Sequence, residues 1–106
     1  MKVTDVLQGM IEAFNPAQAK GVNATIQLNT SGEGGGTHII KIANGQAAWE
    51  EGIAPDPNVT ISVSAQNWLD IVTGKLDATK AFMTGKLKIS GDMGLMMRFQ
   101  KMFNAR

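Results

Sequence analysis

The stretch "AFMTGKLKISGDMGLMMRFQKMF", residues 81–103, holds five of the chain's seven methionines. Two periodicities meet in it. In "KLKIS", Leu87 and Ile89 alternate with Lys86, Lys88 and Ser90, the pattern of a strand with one apolar face. After Gly91-Asp92 the repeat becomes helical. At 100° per residue, Met102, Leu95, Phe99, Phe103, Met96, Met93 and Met97 cover an arc of roughly 220°. Gln100 interrupts that arc, and Arg98, Lys101 and Gly94 fill the remainder. A helix laid on a sheet needs an apolar stripe of a little over about 100°. The surplus asks for a cover: other helices, a partner protein or an apolar ligand. Methionine suits the last two, because an unbranched, polarizable side chain repacks against differing shapes at little cost.

Upstream, Val3, Val6, Leu7, Met10, Ile11 and Phe14 follow helical spacing. Thr4 or Asp5 opens this helix and Asn15-Pro16 closes it. "PAQAK" reads as a short second helix ending at Gly21. The period then changes to two. Val22, Ala24, Ile26 and Leu28 alternate with polar residues, and "THIIKIA" and "QAAWEEG" follow as strands joined by the hairpin signal Asn44-Gly45. An antiparallel meander is the simplest arrangement. "APDPN" is a loop, since two prolines forbid regular pairing. Val59, Ile61, Val63 and Ala65 give a fourth strand. Ser64 is placed to cap the helix "AQNWLDIVT", and Asp77 to cap "ATKAFMT". Amphipathic strands mean one wet and one covered sheet face. The expected fold class is α+β, in one domain spanning residues 1–106: a five-stranded, mostly antiparallel sheet with its helices on one face.

Totals narrow the function classes. The 106 residues are 43% hydrophobic, enough for one packed core, and 18% charged, below the average of about 25%. A net charge of +1 argues against nucleic acid as a partner. The charge is unevenly spread. Residues 1–74 hold three lysines against seven carboxylates, net −4, and residues 75–106 hold seven bases against Asp77 and Asp92, net +5. The methionine-rich end is therefore also the basic end, suited to anionic lipid or a phosphate-bearing ligand. The absence of cysteine excludes disulfides and thiolate chemistry. "MKVTDVLQGM" interrupts the apolar run a signal peptide needs, so the expected location is cytoplasmic.

Motifs that resemble catalytic chemistry lack their context. "GEGGG" has Thr37 where a dinucleotide fingerprint needs glycine, and strands flank it on both sides. His38 is the sole histidine and reads as a partly exposed strand residue. Glu50 and Glu51 point to opposite faces of a strand. No catalytic residue, metal site or cofactor is assigned, and the chain reads as non-enzymatic. Trp68 reads as core, and Trp49, among charged neighbours, as partly exposed at a cavity mouth.

From about residue 56 to 103 the chain resembles the sterol carrier protein-2 family. The residues carrying the resemblance are "NVTISVS", "NWLDIVTGKLD", "KAFMTGKLKISGDMGL" and "MMRFQKMF", the run from Gly85 to Leu95 being the most specific. The resemblance implies a lipid-binding domain with an apolar tunnel between sheet and helices, taking fatty acids, fatty acyl-CoA, phospholipids or sterols. It also implies that the last helix forms part of the tunnel wall. The wall candidates are Phe82, Met83, Met93, Met96, Met97, Phe99, Met102 and Phe103, with Leu87 and Ile89 as floor. Gln100 is the candidate for a headgroup contact. Lys86, Lys88, Arg98 and Lys101 favour anionic headgroups or transient contact with an anionic membrane. The expected state is a monomer or weak dimer. The alternative is an interaction domain whose apolar helix face is covered by a partner or second copy.

Overall fold

The computed structural model describes residues 3–102, save for the side chains of Gln100 and Lys101. Helix α1, Val3–Glu12, buries Val3, Val6 and Leu7, one stripe of its helical repeat. A one-turn 3₁₀ helix, Pro16–Ala19, follows, with the Asn15 side chain accepting from the Ala17 N–H. Strands β1 (Ala24–Ser31), β2 (Gly36–Ala43) and β3 (Gln46–Glu51) come next. Asn44 and Gly45 turn β2 into β3 with φ of 56° and 73°, the left-handed pair that a tight hairpin demands.

β4 (Val59–Ser64) leads directly into α2 (Ala65–Val72), and α3 (Ala78–Met83) leads to β5 (Leu87–Gly91) and α4 (Met93–Met102). Two of the caps read from the sequence, Ser64 and Asp77, are present, whereas α1 already runs from Val3, which puts Thr4 and Asp5 inside the helix rather than at its start. Ser64 Oγ accepts from the Asn67 N–H at 3.1 Å, and Asp77 Oδ1 accepts from Thr79 at 2.8 Å and Lys80 at 3.2 Å. Asp92 Oδ1 opens α4 by accepting from the Leu95 N–H at 3.0 Å. Each satisfies amide groups that a helix start leaves unpaired.

The five strands make one open sheet in the order β3-β2-β1-β4-β5. Strands β1 to β3 form the expected meander, and β5 pairs antiparallel with β4. The meander does not continue into β4, which lies parallel to β1. The loop 52–58 is the reason. Instead of turning tightly, it runs back across the face opposite the helices. The Gly52 N–H donates to the Thr37 carbonyl at 3.1 Å, the Ala54 N–H to Gln27 Oε1 at 2.7 Å and the Asn58 N–H to the Thr25 carbonyl at 2.8 Å. It starts beside the β3 edge and delivers the chain to the far side of β1.

Register sorts the side chains. Ala24, Ile26 and Leu28 of β1 lie opposite Ile42, Ile40 and His38 of β2, and Ile26 and Leu28 face Val59 and Ile61 of β4. With Val3, Val6, Leu7, Trp68, Leu87 and the inner face of α4, the apolar ones among them form one continuous cluster under the helices. The opposite face is not uniformly wet. Gln27 and Ile39 are buried there, where the loop 52–58 crosses. Elsewhere on that face Lys41 and Glu50 form a solvent-exposed ion pair at 2.7 Å.

Candidate functional site

The candidate site is the layer between the covered sheet face and the helices, over part of which α4 lies. α4 packs against β4 and against the 3₁₀ helix. The Asn15 N–H donates to the Met102 carbonyl at 2.8 Å. The Arg98 guanidinium donates to the carbonyls of Gln18 (3.4 Å) and Lys20 (3.2 Å). Arg98 thus fastens α4 to the end of the 3₁₀ helix, so its cation is already engaged with protein carbonyls.

α4 sorts its methionines by face. Met96, Phe99 and Met102 are buried, Met102 completely. They span about 120° of the wheel, the width an ordinary sheet-packed helix requires. Met93 and Met97 turn outward, Met97 being 69% exposed. The surplus apolar arc therefore faces away from the sheet and adds nothing to the packed layer.

Of the residues singled out from sequence, Leu87, Met96, Phe99 and Met102 come together in the apolar cluster, and Ile89 packs against its edge. Phe82 and Met83, at the end of α3, do not join them; Met83 is 78% exposed. Met93 and Met97 share that outward placement. Lys86 and Lys88 are exposed. The Gln100 side chain and Phe103 lie outside the described residues.

One interior residue departs from its sequence reading. His38 is not partly exposed: it is buried, at 4% exposure. The alternation in "THIIKIA" sets it on the same face as Ile40 and Ile42, and that signal was in the sequence. Its ring meets Trp49 edge-on, with centroids 5.8 Å apart. Trp49 is half-buried, and its indole N–H donates to Gln8 Oε1 of α1 at 3.4 Å. Trp68 is buried as expected, but its indole nitrogen finds no partner among the described residues.

Among the described residues no group of three or more His, Asp or Glu side chains converges to hold a metal ion. None of their helices is long and apolar enough to cross a membrane. An open groove of about 500 Å³ lies between the 3₁₀ helix and the β2–β3 turn, bordered by Pro16, Lys20, Val22 and Asn44. It sits outside the apolar layer.

A family model described as the SCP-2 sterol transfer family matches residues 6–104. The chain belongs to the SCP-2 sterol transfer family. This is a family of lipid-binding and lipid-transfer domains. The chain is 40% identical over 96 residues to peroxisomal multifunctional enzyme A of Dictyostelium discoideum, covering 89% of this chain and 22% of that protein. It is 37% identical over 87 residues to hydroxysteroid dehydrogenase-like protein 2 of Bos taurus, covering 80% and 21%. It spans about a fifth of the length of these two relatives. Among solved structures, palmitated SCP2L2 of Aedes aegypti superposes with a TM-score of 0.75 at 22% identity, covering 98% of this chain and 96% of that one. The same fold recurs in the inverting sec-alkylsulfatase Pisa1 of a Pseudomonas species, with a TM-score of 0.79 at 19% identity, over 92% of this chain and 15% of that one.

Proposed function

We propose that this SCP-2 domain binds a lipid in the apolar layer beneath α4, without catalysing any reaction on it. The observation that carries the reading is the continuous cluster of Leu87, Met96, Phe99 and Met102 with the sheet's covered face. Met96 and Met102 can change rotamer to admit an acyl chain while keeping contact with it. The driving force is burial, about 0.8 kcal/mol for each methylene leaving water. Entry requires α4 to lift. Besides the apolar packing of Met96, Phe99 and Met102, its polar fastenings among the described residues include Asn15 to Met102 and Arg98 to the 3₁₀ helix. Fatty acids, fatty acyl-CoA, phospholipids and sterol-like molecules are the ligand classes to test. The wall is assigned to Met96, Phe99, Met102, Leu87 and Ile89.

Phe82, Met83, Met93 and Met97 receive a different role, contact with a lipid surface during loading or delivery. They expose apolar area at the chain's basic end, where Lys75, Lys80 and Lys86 are solvated. That combination suits an anionic bilayer.

Protein purified without detergent is extracted with organic solvent and its lipids identified by mass spectrometry. Fluorescent fatty acid and acyl-CoA are then titrated into the delipidated protein. Co-purifying lipid and binding at micromolar concentration support the reading; neither lipid nor binding removes it.

A second reading is favoured by the same exposed residues together with the relatives' greater length. In it the domain is an interaction or presenting module, and Met93 and Met97 dock on another domain or a second copy. Sedimentation separates the two: a strict monomer carrying lipid rejects self-association.

A further inference from the structure

Two nitrogens in the covered layer have no partner among the described residues. His38 Nδ1 and Trp68 Nε1 are buried, and among the described residues no hydrogen bond reaches either. Both residues are 4% exposed. An unmatched polar group in an apolar interior costs free energy, and native proteins keep few of them.

Both residues lie on the helix-covered side of the sheet, on elements that pack against β1. His38 stands in register with Leu28 of β1, which faces Ile61 of β4. Trp68 lies on α2, which leaves β4 at Ser64 and packs on both β1 and β4. α1 lies on the same side, touching α2 and β3. Neighbouring polar groups are already engaged. Thr30 Oγ1 both donates to the Gly36 carbonyl (3.2 Å) and accepts from its N–H (2.9 Å), and Trp49 Nε1 is bound to Gln8.

The chemistry of the pair limits what satisfies it. An indole N–H only donates, while Nδ1 of a neutral imidazole donates or accepts according to its tautomer. A lipid oxygen with free lone pairs answers both. An ionised headgroup does not, because no lysine or arginine side chain is buried among the described residues and a lone charge in this layer would stay unpaired.

We propose that the bound lipid places an uncharged oxygen innermost, a hydroxyl, carbonyl or un-ionised carboxyl, held by Trp68 Nε1 and His38 Nδ1. The proposal rests on the lipid-binding reading above and sharpens it to ligands with a neutral polar end. Charged groups stay outside, at the basic surface.

The test compares 1-decanol with n-decane as competitors of a pyrene-labelled fatty acid, in the native protein and in Trp68→Phe and His38→Phe. Each substitution keeps an aromatic ring and deletes the polar nitrogen. Each should weaken decanol about five- to tenfold, the loss of one hydrogen bond, and leave decane unchanged. In the native protein the Trp68 indole proton resonance, assigned by its disappearance in Trp68→Phe, should move downfield with decanol and not with decane. This second readout is taken in the native protein, and the chain's other indole, assigned by its disappearance in Trp49→Phe, identifies the Trp68 resonance by elimination if Trp68→Phe folds poorly. Equal effects on both competitors, or an indole resonance indifferent to decanol, overturn the proposal while lipid binding stands. If neither competitor displaces the probe and the probe itself fails to bind, lipid binding falls and the proposal with it.

Discussion

Asn58 and Thr25 hold each other by two hydrogen bonds: the Thr25 N–H donates to Asn58 Oδ1 at 2.8 Å, and the Asn58 N–H donates to the Thr25 carbonyl at 2.8 Å. The Asn58 carbonyl also accepts from the Asp92 N–H at 3.0 Å. One residue thus ties the start of β1 to β4 and to the turn that launches α4. Asn58→Ala removes the side-chain acceptor and should cost about 1 kcal/mol, since the site is solvent-exposed. Asn58→Asp retains an oxygen there and should stay within about 0.5 kcal/mol of the parent. Urea denaturation of the two variants checks the difference; equal loss would show that the bond carries no stability.

Gly91 sits against the same residue. Its φ is 107°, and a Cβ there would fall 2.3 Å from the Asn58 carbonyl oxygen and 3.0 Å from Val59 Cα. Both obstacles are backbone and cannot swing aside. Gly91→Ala should therefore cost about 3 kcal/mol or more. Gly94, the second residue of α4, is the control: a Cβ there meets nothing closer than Asp92 Oδ1 at 3.4 Å. Gly94→Ala should be neutral or stabilise by up to about 1 kcal/mol through helix propensity. Thermal melts of the pair separate steric conflict from a general intolerance of change at the β5–α4 junction.

The legible parts of this fold are those written in local periodicity and caps. "KLKIS" and the helix after Gly91-Asp92 were readable, as were Ser64, Asp77 and the Asn44-Gly45 turn, because each signal lies within a few residues of the element it starts. The parallel pairing of β1 with β4 was not readable, because it depends on where a proline-containing loop carries the chain. His38 could have been placed in the core from its alternation with Ile40 and Ile42; its polarity masked the period. The wheel of α4 gave an apolar arc of roughly 220° and could not show which part of it the sheet covers or which of its methionines lacked a cover. Composition has no term for what lies on the far side of a helix.

Gln27 is the polar anchor of the loop 52–58. Its Oε1 accepts from the Ala54 N–H, while Nε2 lies 3.0 Å from Asn29 Oδ1, 3.1 Å from the Gly52 carbonyl and 3.3 Å from the His38 carbonyl. Gln27→Glu turns this donor into an acceptor facing two carbonyls, in a buried position. A loss of about 2–4 kcal/mol is expected. Gln27→Leu should cost less overall, but it leaves the Ala54 amide unpaired. That amide's hydrogen exchange should accelerate at least tenfold in Gln27→Leu relative to amides of β1. Unchanged protection at Ala54 would mean that the loop is held by its other contacts.

The two faces of α4 predict opposite phenotypes. Phe99 is buried in the core, and Phe99→Ala should cost about 3–5 kcal/mol, the usual loss for a deleted core ring. Met97→Ser, on the exposed face, should stay within about 0.5 kcal/mol. Denaturation midpoints of the two variants test whether the apolar arc is structurally divided as its burial indicates.

A function for the exposed side is tested at a membrane. Phe82 and Met83 end α3 beside the solvated Lys80 and Lys86, so apolar area and positive charge occupy one short segment. In Phe82→Ser/Met83→Ser the fold should persist, because neither side chain belongs to the buried cluster. Binding to phosphatidylserine-containing vesicles should fall several-fold, with little change on neutral phosphatidylcholine. Raising salt should weaken the native protein on the anionic vesicles, since lysine attraction to the surface decays within a Debye length of about 8 Å at physiological ionic strength. Lipid affinity in solution should be untouched, because the wall residues under α4 are unchanged. Loss of solution affinity together with vesicle binding would instead put Phe82 and Met83 in the lipid site itself, and the division between an inner wall and an outer membrane-facing surface would have to be redrawn.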